Sequence, residues 1–295
     1  MNILTFDVEE WYLEKKYHGD RAERYCEFDD YLNRILDLLD RQKIKATFFC
    51  LGKLAADFPH VVKTIAGKGH EIGCHSDSHG WLNKMNELDA FEDTRTAVDA
   101  LEQCIGQKVK SYRAPAFSIG NNNKWAFEIL AKCGIERDAS VFPASRDFGG
   151  FKQFKESVPS IVSYNGIAIK EFPIPTTTLI GKELAYSGGG YFRIFPLWFV
   201  KNQMRNSDYN MTYFHIGDLL PETRKFQSRK EYETYFKESG TFLKRFKRYV
   251  NGNLGKKKAL VKLQHLIESA DFVSLEKSDT LIDWSNANCV NLNLK

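Results

Sequence analysis

The chain has 295 residues, 42 of them basic and 38 acidic, for a formal net charge of +4. At 43% hydrophobic and 27% charged it is composed like an ordinary globular protein, which excludes disordered and membrane-embedded classes. A charge this small over this length argues against nucleic acid as a partner.

Elements follow from hydrophobic period and breakers. Asn2 to Phe6 reads as a strand. Phe28 to Arg41 has apolar residues at 28, 31, 32, 35, 36, 38 and 39, a helical period. Ala46 to Leu51 is a buried strand closed by Gly52. Val61 to Lys68 is a helix ended by Gly69, and Glu71 to Cys74 is a strand. Leu88 to Ile105 is a long amphipathic helix with Gly106 as its cap. Lys110 to Arg113 is a strand before the Pro115 break, and Asn123 to Cys133 a helix closed by Gly134. This alternation predicts repeated βα units and a mainly parallel sheet or barrel. Further on, Ile167 to Ile174 alternates like a strand, Ser187 to Gly190 is a turn, Pro196 to Met204 a helix and Met211 to His215 a strand. Lys230 to Val250 and Lys256 to Ser269 read as basic amphipathic helices, with a last strand at Phe272 to Leu275. No clean domain boundary stands out. The cysteines at 26, 50, 74, 104, 133 and 289 form no CxxC pair, and MNILTFDVEEWY lacks the basic-then-apolar run of a signal peptide. The expectation is a cytoplasmic protein with reduced thiols.

Chemistry-bearing residues gather at predicted strand ends. His75 and His79, in GCHSDSH, stand at i and i+4, so on a helical turn both rings share a face and suit one metal ion. The plain alternative is two surface histidines on a loop. Asp7 and Glu9 end the first strand on one face, roughly 7 Å apart, while Val8 points into the packing. Two such carboxylates can divide labour, one on metal and one on protons; the alternative is a solvated acidic turn that includes Glu10. Arg113, held by the Pro115 turn, can pair with Asp7, or be a structural cap. Asp138 and His215 also end strands. An Asp–His pair would orient the ring as a general acid, whereas a lone His215 reads as a core histidine.

The ordered set TFDVEEWY, ATFFCLG, GHEIGCHSDSH, YRAPAFSI, DASVFP and YFHIGDL resembles the polysaccharide deacetylases of the NodB-homology class, carbohydrate esterase family four, over about residues 1 to 220. SGGGYFRIFPLWFV looks like the cytoplasmic branch found with exopolysaccharide and O-antigen synthesis loci, whose first motif reads DVE. The resemblance implies an α/β fold: a distorted (β/α) barrel of about seven strands over residues 1–222, with a helical C-terminal extension, 223–295, packed on it. It implies a divalent metal, Zn²⁺ with Co²⁺ or Ni²⁺ as alternatives, on Glu9, His75 and His79. Asp7 matches the catalytic base, Arg113 the residue holding it, His215 the acid and Asp138 the residue tuning that acid. The backbone N–H near Ala116 matches the oxyanion donor, and Trp11 and Trp81 are expected to line the site.

Two departures bear on this. The commoner motif has a second aspartate as metal ligand where Val8 stands, leaving Glu9 to replace it. After His215 the chain reads Ile-Gly-Asp where the branch has Pro-Trp-Glu. The function implied is hydrolysis of the N-acetyl group of an amino sugar in a glycan or its precursor, releasing acetate. Alternatives are hydrolysis of a cyclic imide or ureide on the same site, or an inactive carbohydrate-binding relative. No membrane span is expected. The basic C-terminal helices read as a solvated face or, alternatively, as a peripheral contact with anionic membrane.

Overall fold

A computed structural model describes residues 1–293 apart from 145–148, 180, 224 and 237. The strands in chain order are β1 (Asn2–Ile3), β2 (Thr5–Val8), β3 (Thr47–Cys50), β4 (Glu71–Cys74), β5 (Ser111–Tyr112), β6 (Arg137–Asp138), β7 (Ser160–Tyr164), β8 (Ile167–Glu171), β9 (Thr176–Leu179), β10 (Lys182–Ala185), β11 (Asn210–Met211), β12 (Phe214–His215) and β13 (Asn288–Asn291). The main sheet has the order β12-β2-β3-β4-β5-β6-β8-β7-β13. From β12 to β8 every neighbouring pair is parallel, which makes seven parallel strands; β7 then runs antiparallel to β8.

Alternation along the strands sorts side chains into two cores. Phe6, Val8, Phe48 and Cys50 face the helices, in a large cluster with Leu32, Ile35, Leu36 and Leu39 of helix Ala22–Arg41. Phe49 faces the other way, into a smaller cluster with Ile3, Phe117, Phe142, Phe172, Met211 and Tyr213. That second cluster fills the inside of a curled sheet. Arg113, just after β5, crosses this interior to reach Thr5 and Asp7 of β2, three strands away in sheet order. The sheet is therefore a distorted barrel. Gly73 serves the curl directly: a Cβ there would lie 2.5 Å from the Phe49 ring.

Many elements match the sequence reading within a residue or two. Helix Glu87–Ile105 starts with Asn86 accepting from the Asp89 N–H and ends at Gly106 in the left-handed conformation, φ 70°. Others differ. Residues 10–18, to which the sequence reading assigns no element, form helix Glu10–His18. The Met211 to His215 strand is split into β11 and β12, and Gly189 opens helix Gly189–Ile194 instead of a turn. The basic stretch 230–250 is two helices, Arg229–Phe236 and Phe242–Asn253, with residue 237 outside the described residues. At 272–275 there is only an isolated bridge, Val273 to Ile3, before helix Leu275–Asp279.

The C-terminal stretch also adds β13, which pairs in parallel with β7. Helix Leu275–Asp279 closes the amino end of the barrel. Its Leu275 and Glu276 N–H groups donate to Thr47 Oγ1 and Glu71 Oε2, both at 2.7 Å. Asp279 accepts from Arg137 (3.3 Å) and Lys170 (2.6 Å). All six cysteines are free thiols, with Cys50 and Cys74 buried and opposite one another on β3 and β4.

A pH dependence arises outside the site, at His70. Its Nδ1 accepts from the Ala46 N–H at 3.2 Å, and burial, reinforced by Lys45, pushes the ring down from 6.5 to about 4. The folded chain thus keeps the ring neutral where the unfolded chain protonates it. The stability involved is fully present above pH 6.5 and is lost as pH falls toward 4. In urea titrations the wild type is expected to lose about 2 kcal/mol more than His70→Asn between pH 7 and pH 4.5. Equal losses in both would refute the assignment.

Candidate active site

The carboxyl ends of the parallel strands carry the reactive side chains, as expected for a barrel of βα units. Asp7 lies in β2 with Glu9 just beyond it. His75 directly follows β4, Arg113 follows β5, Asp138 lies in β6, Glu171 in β8 and His215 in β12. Because Phe6 and Val8 pack outward, Thr5 and Asp7 point into the barrel.

Glu9, His75 and His79 offer ligand atoms that all lie within 4.8 Å of one another. Glu9 Oε2 is 2.8 Å from His79 Nε2 and 3.6 Å from His75 Nε2. The His75 Nδ1 donates to the Arg113 carbonyl at 2.7 Å. A carbonyl can only accept, so that nitrogen carries the proton and the Nε2 lone pair faces Glu9. Glu9 Oε2 is buried without a hydrogen-bond donor of good geometry. A buried carboxylate oxygen without a donor, facing two imidazole nitrogens, fits a cation: one carboxylate and two histidines are a catalytic zinc donor set. Burial pushes the Glu9 carboxyl up, but His79 and His215, with the close approach of the His75 and His79 rings, outweigh it. The group is held well below the usual carboxylate range.

The helical turn expected at 75–79 is absent. The segment is a loop with Ser76 at φ 69° and His79 at φ 61°. These left-handed residues bring the rings to 5.5 Å between centroids, as the helical spacing was expected to do. The loop is pinned where helix Gly52–Asp57 begins: the Gly52 and Lys53 N–H groups donate to Ser76 O and Asp77 O, both at 3.0 Å. Ala116 (φ 56°) and Phe117 (φ 53°) are left-handed too. Each such non-glycine residue costs about 1 kcal/mol or more, a strain found where a site fixes an unusual backbone.

Arg113 is fully buried. Its Nη1 donates to Asp7 Oδ1 at 2.9 Å and to Thr5 Oγ1 at 2.7 Å, and its Nε donates to Ala139 O at 3.2 Å. The guanidinium also stacks on Phe49, 4.3 Å from the ring centroid. On the far side, His215 Nε2 stands 3.9 Å from Asp7 Oδ2 and 3.8 Å from Glu9 Oε1. Burial pulls the His215 ring down, but Glu9, Asp218 and Asp7 outweigh it and raise it to about 10. His215 is thus an imidazolium set between carboxylates.

Two expectations are corrected. Asp138 does not orient His215. The partner of His215 Nδ1 is Asp218 Oδ2, at 2.9 Å. Asp138 instead accepts from Ser140 Oγ and lies beside Glu171, its register neighbour on β8. Burial raises Asp138 to about 6 and, with Asp138 beside it, raises Glu171 well above the usual carboxylate range. Ser140 Oγ accepts from the Ala114 N–H at 2.7 Å, so this pair supports the turn that leads to Ala116. Trp11 does not line the site either. It is fully buried against Phe28, with its indole N–H on Asp29. The helix Glu10–His18 turns it toward helix Ala22–Arg41 and away from the mouth. Trp81, two residues past His79, stays part-exposed.

Glu10 and Asp218 were missed as site residues. Glu10 Oε1 accepts from the Gly217 N–H, and a Cβ on Gly217 would lie 3.0 Å from that oxygen, which is why glycine suits this turn. Burial, then the neighbouring Glu9, raises Glu10 to about 7. The signal for Asp218 was the His-x-x-Asp spacing at a helix start, which lets Asp218 and His215 cap each other. Asp218→Asn is expected to lower kcat roughly 100-fold, the scale of losing a well-set general acid, with KM and bound metal unchanged. A rate within twofold of wild type would remove Asp218 from the site.

Residues 3–137 match the polysaccharide deacetylase family model, and residues 139–279 match a family described only as a domain of unknown function. Residues 3–137 thus belong to a polysaccharide deacetylase domain of the NodB class. Both matched segments build the site, the first supplying Glu9, His75, His79 and Arg113, the second His215 and Asp218. Over 115 residues the chain is 39% identical to a peptidoglycan-N-acetylglucosamine deacetylase of Bacillus cereus, covering 37% of this chain and 42% of that one. Over 112 residues it is 26% identical to a chitooligosaccharide deacetylase of Bradyrhizobium, covering 36% and 49%. The chain spans less than half the length of either relative. A crystal structure of a proposed polysaccharide deacetylase from Mycobacterium smegmatis shares the fold, with a TM-score of 0.63, 18% identity, and coverage of 98% of this chain and 92% of that one.

Proposed function

We propose that the protein is a metal-dependent deacetylase that hydrolyses the N-acetyl group of an amino sugar in a glycan or glycan precursor. The observation that carries this reading is the donorless Glu9 Oε2 facing His75 and His79, beside an Asp7 locked to Arg113. A divalent cation held by Glu9, His75 and His79, with Zn²⁺ favoured by the donor set, would polarise the acetyl carbonyl and acidify a water.

The chain supplies the rest. Asp7 Oδ2, free of the Arg113 bond on Oδ1, takes the water proton. His215, kept protonated by Glu9, Asp218 and Asp7, gives its proton to the departing sugar nitrogen. The Ala116 peptide, fixed in its left-handed turn, is the oxyanion donor. Trp81 offers an aromatic wall for a sugar ring. The six free thiols fit a reducing compartment, so the cytoplasm is the proposed location. Among the described residues no helix is long and apolar enough to cross a membrane.

The test is acetate release from N-acetylated chitooligosaccharides, before and after chelation and metal readdition. Release that stops on chelation and returns with Zn²⁺ is expected. Release indifferent to chelation, or none from any N-acetylated sugar, would overturn the reading.

A further inference from the structure

Helix Phe242–Asn253 has its amphipathic faces reversed. A surface helix normally turns its apolar stripe to the core. Here Phe242 (61% exposed), Leu243 (77%), Phe246 (48%) and Val250 point to solvent, and Leu254 (50%) follows them. On a 3.6-residue period the four helical positions share an arc of about 100°. The part-buried side carries cations instead. Arg245 donates to Gly240 O and Gln227 O and lies over Phe226, while Arg248 lies over Phe236 at 4.0 Å.

Charge points the same way. Between Gly240 and Ile267 there are eight Lys or Arg residues and no Asp or Glu; Lys244, Lys247, Lys257 and Lys258 are exposed, while Lys256 is buried and Lys262 turns inward onto the Phe192 and Phe195 carbonyls. A second copy seated on this face would bring two such cationic stretches together. A soluble polyanion would leave the row of exposed apolar side chains in water. An anionic lipid surface meets both features, with apolar side chains entering the headgroup boundary and lysines resting on phosphates.

We propose that helix Phe242–Asn253 docks the protein on an anionic lipid bilayer. The helix is joined to the site. Arg193 donates to Gly252 O (2.8 Å) and Asn251 O (3.0 Å), and the same guanidinium stands 3.5 Å from Asp218, the partner of His215. A bilayer under the helix is thereby held at a fixed offset from the barrel mouth.

The experiment is co-sedimentation of the full chain with vesicles of neutral phosphatidylcholine, alone or with about a third phosphatidylglycerol. The wild type is expected to pellet with the anionic vesicles, weakly with the neutral ones, and less as NaCl rises. Leu243→Ser/Phe246→Ser is expected to lose tenfold or more in partitioning while keeping the wild-type melting curve, since both side chains already face water. Hydrolysis of a soluble substrate should not change. Three results would overturn the proposal: no pelleting that depends on anionic lipid, pelleting unaffected by the double substitution, or a wild-type dimer that the double substitution converts to monomer.

Discussion

Glu9→Gln is expected to purify without stoichiometric divalent metal and to release acetate about 10³-fold more slowly than wild type, or slower still, since a Lewis acid supplies several kcal/mol and about 4 kcal/mol is 10³ in rate. The amide keeps the size of Glu9 but removes its charge, and a neutral Oε is a far poorer ligand beside two imidazoles. Asp7→Asn is the matched control. Asp7 faces Arg113 and stands outside the Glu9, His75 and His79 cluster, so this variant should keep its metal while losing rate. Elemental analysis of the purified chains, with Zn²⁺-dependent thermal shifts, separates the two. Unchanged metal content in Glu9→Gln would show that Glu9 does not take the place of the aspartate replaced by Val8. Val8 itself is fully buried among outward-packing side chains and offers no ligand.

Local chemistry was legible in the sequence where one strand or one short motif decides it. Strand alternation placed Asp7 and Glu9 on one face and Val8 on the other. Breakers such as Gly106 placed the ends of helices. The i, i+4 histidines were paired correctly for a reason that does not hold: the loop needs Ser76 and His79 in left-handed conformations, and neither residue type announces that. What escaped the sequence depends on contacts far apart in the chain. Asp138 and Asp218 are both acids near strand ends. The barrel's closure brings Asp138 to Glu171 across β6 and β8, whereas Asp218 turns back on His215 through a local cap three residues long. Trp11 was misread because residues 10–18 carry few apolar residues, with only Trp11 buried, so no amphipathic period marks the helix that carries it inward. The pairing of β13 with β7 joins residues about 128 positions apart, beyond any local pattern.

Arg113→Met is expected to destabilise the chain by about 3–5 kcal/mol, the cost of leaving one member of a buried ion pair alone. Arg113 has no exposed surface, and Asp7 beside it is almost as deeply buried. Methionine fills part of the stem's volume and keeps contact with Phe49, but returns none of the four hydrogen bonds to Thr5, Asp7, Ala139 and Met211. For a chain of this size the melting temperature should fall by roughly 10 °C. Asp7→Asn added to Arg113→Met removes the stranded charge, so the double variant should be more stable than Arg113→Met alone, with a coupling of about 2 kcal/mol or more between the two positions. Activity must behave differently. The amide that Asp7→Asn introduces cannot take a proton from water, so the double variant should stay inactive even as it regains stability. This split between stability and rate distinguishes a buried pair that also serves the chemistry from one that only holds the barrel together. If the two substitutions add without coupling, the Arg113–Asp7 contact is not the interaction that stabilises this interior. If the double variant regains acetate release, Asp7 is not the group that accepts the water's proton.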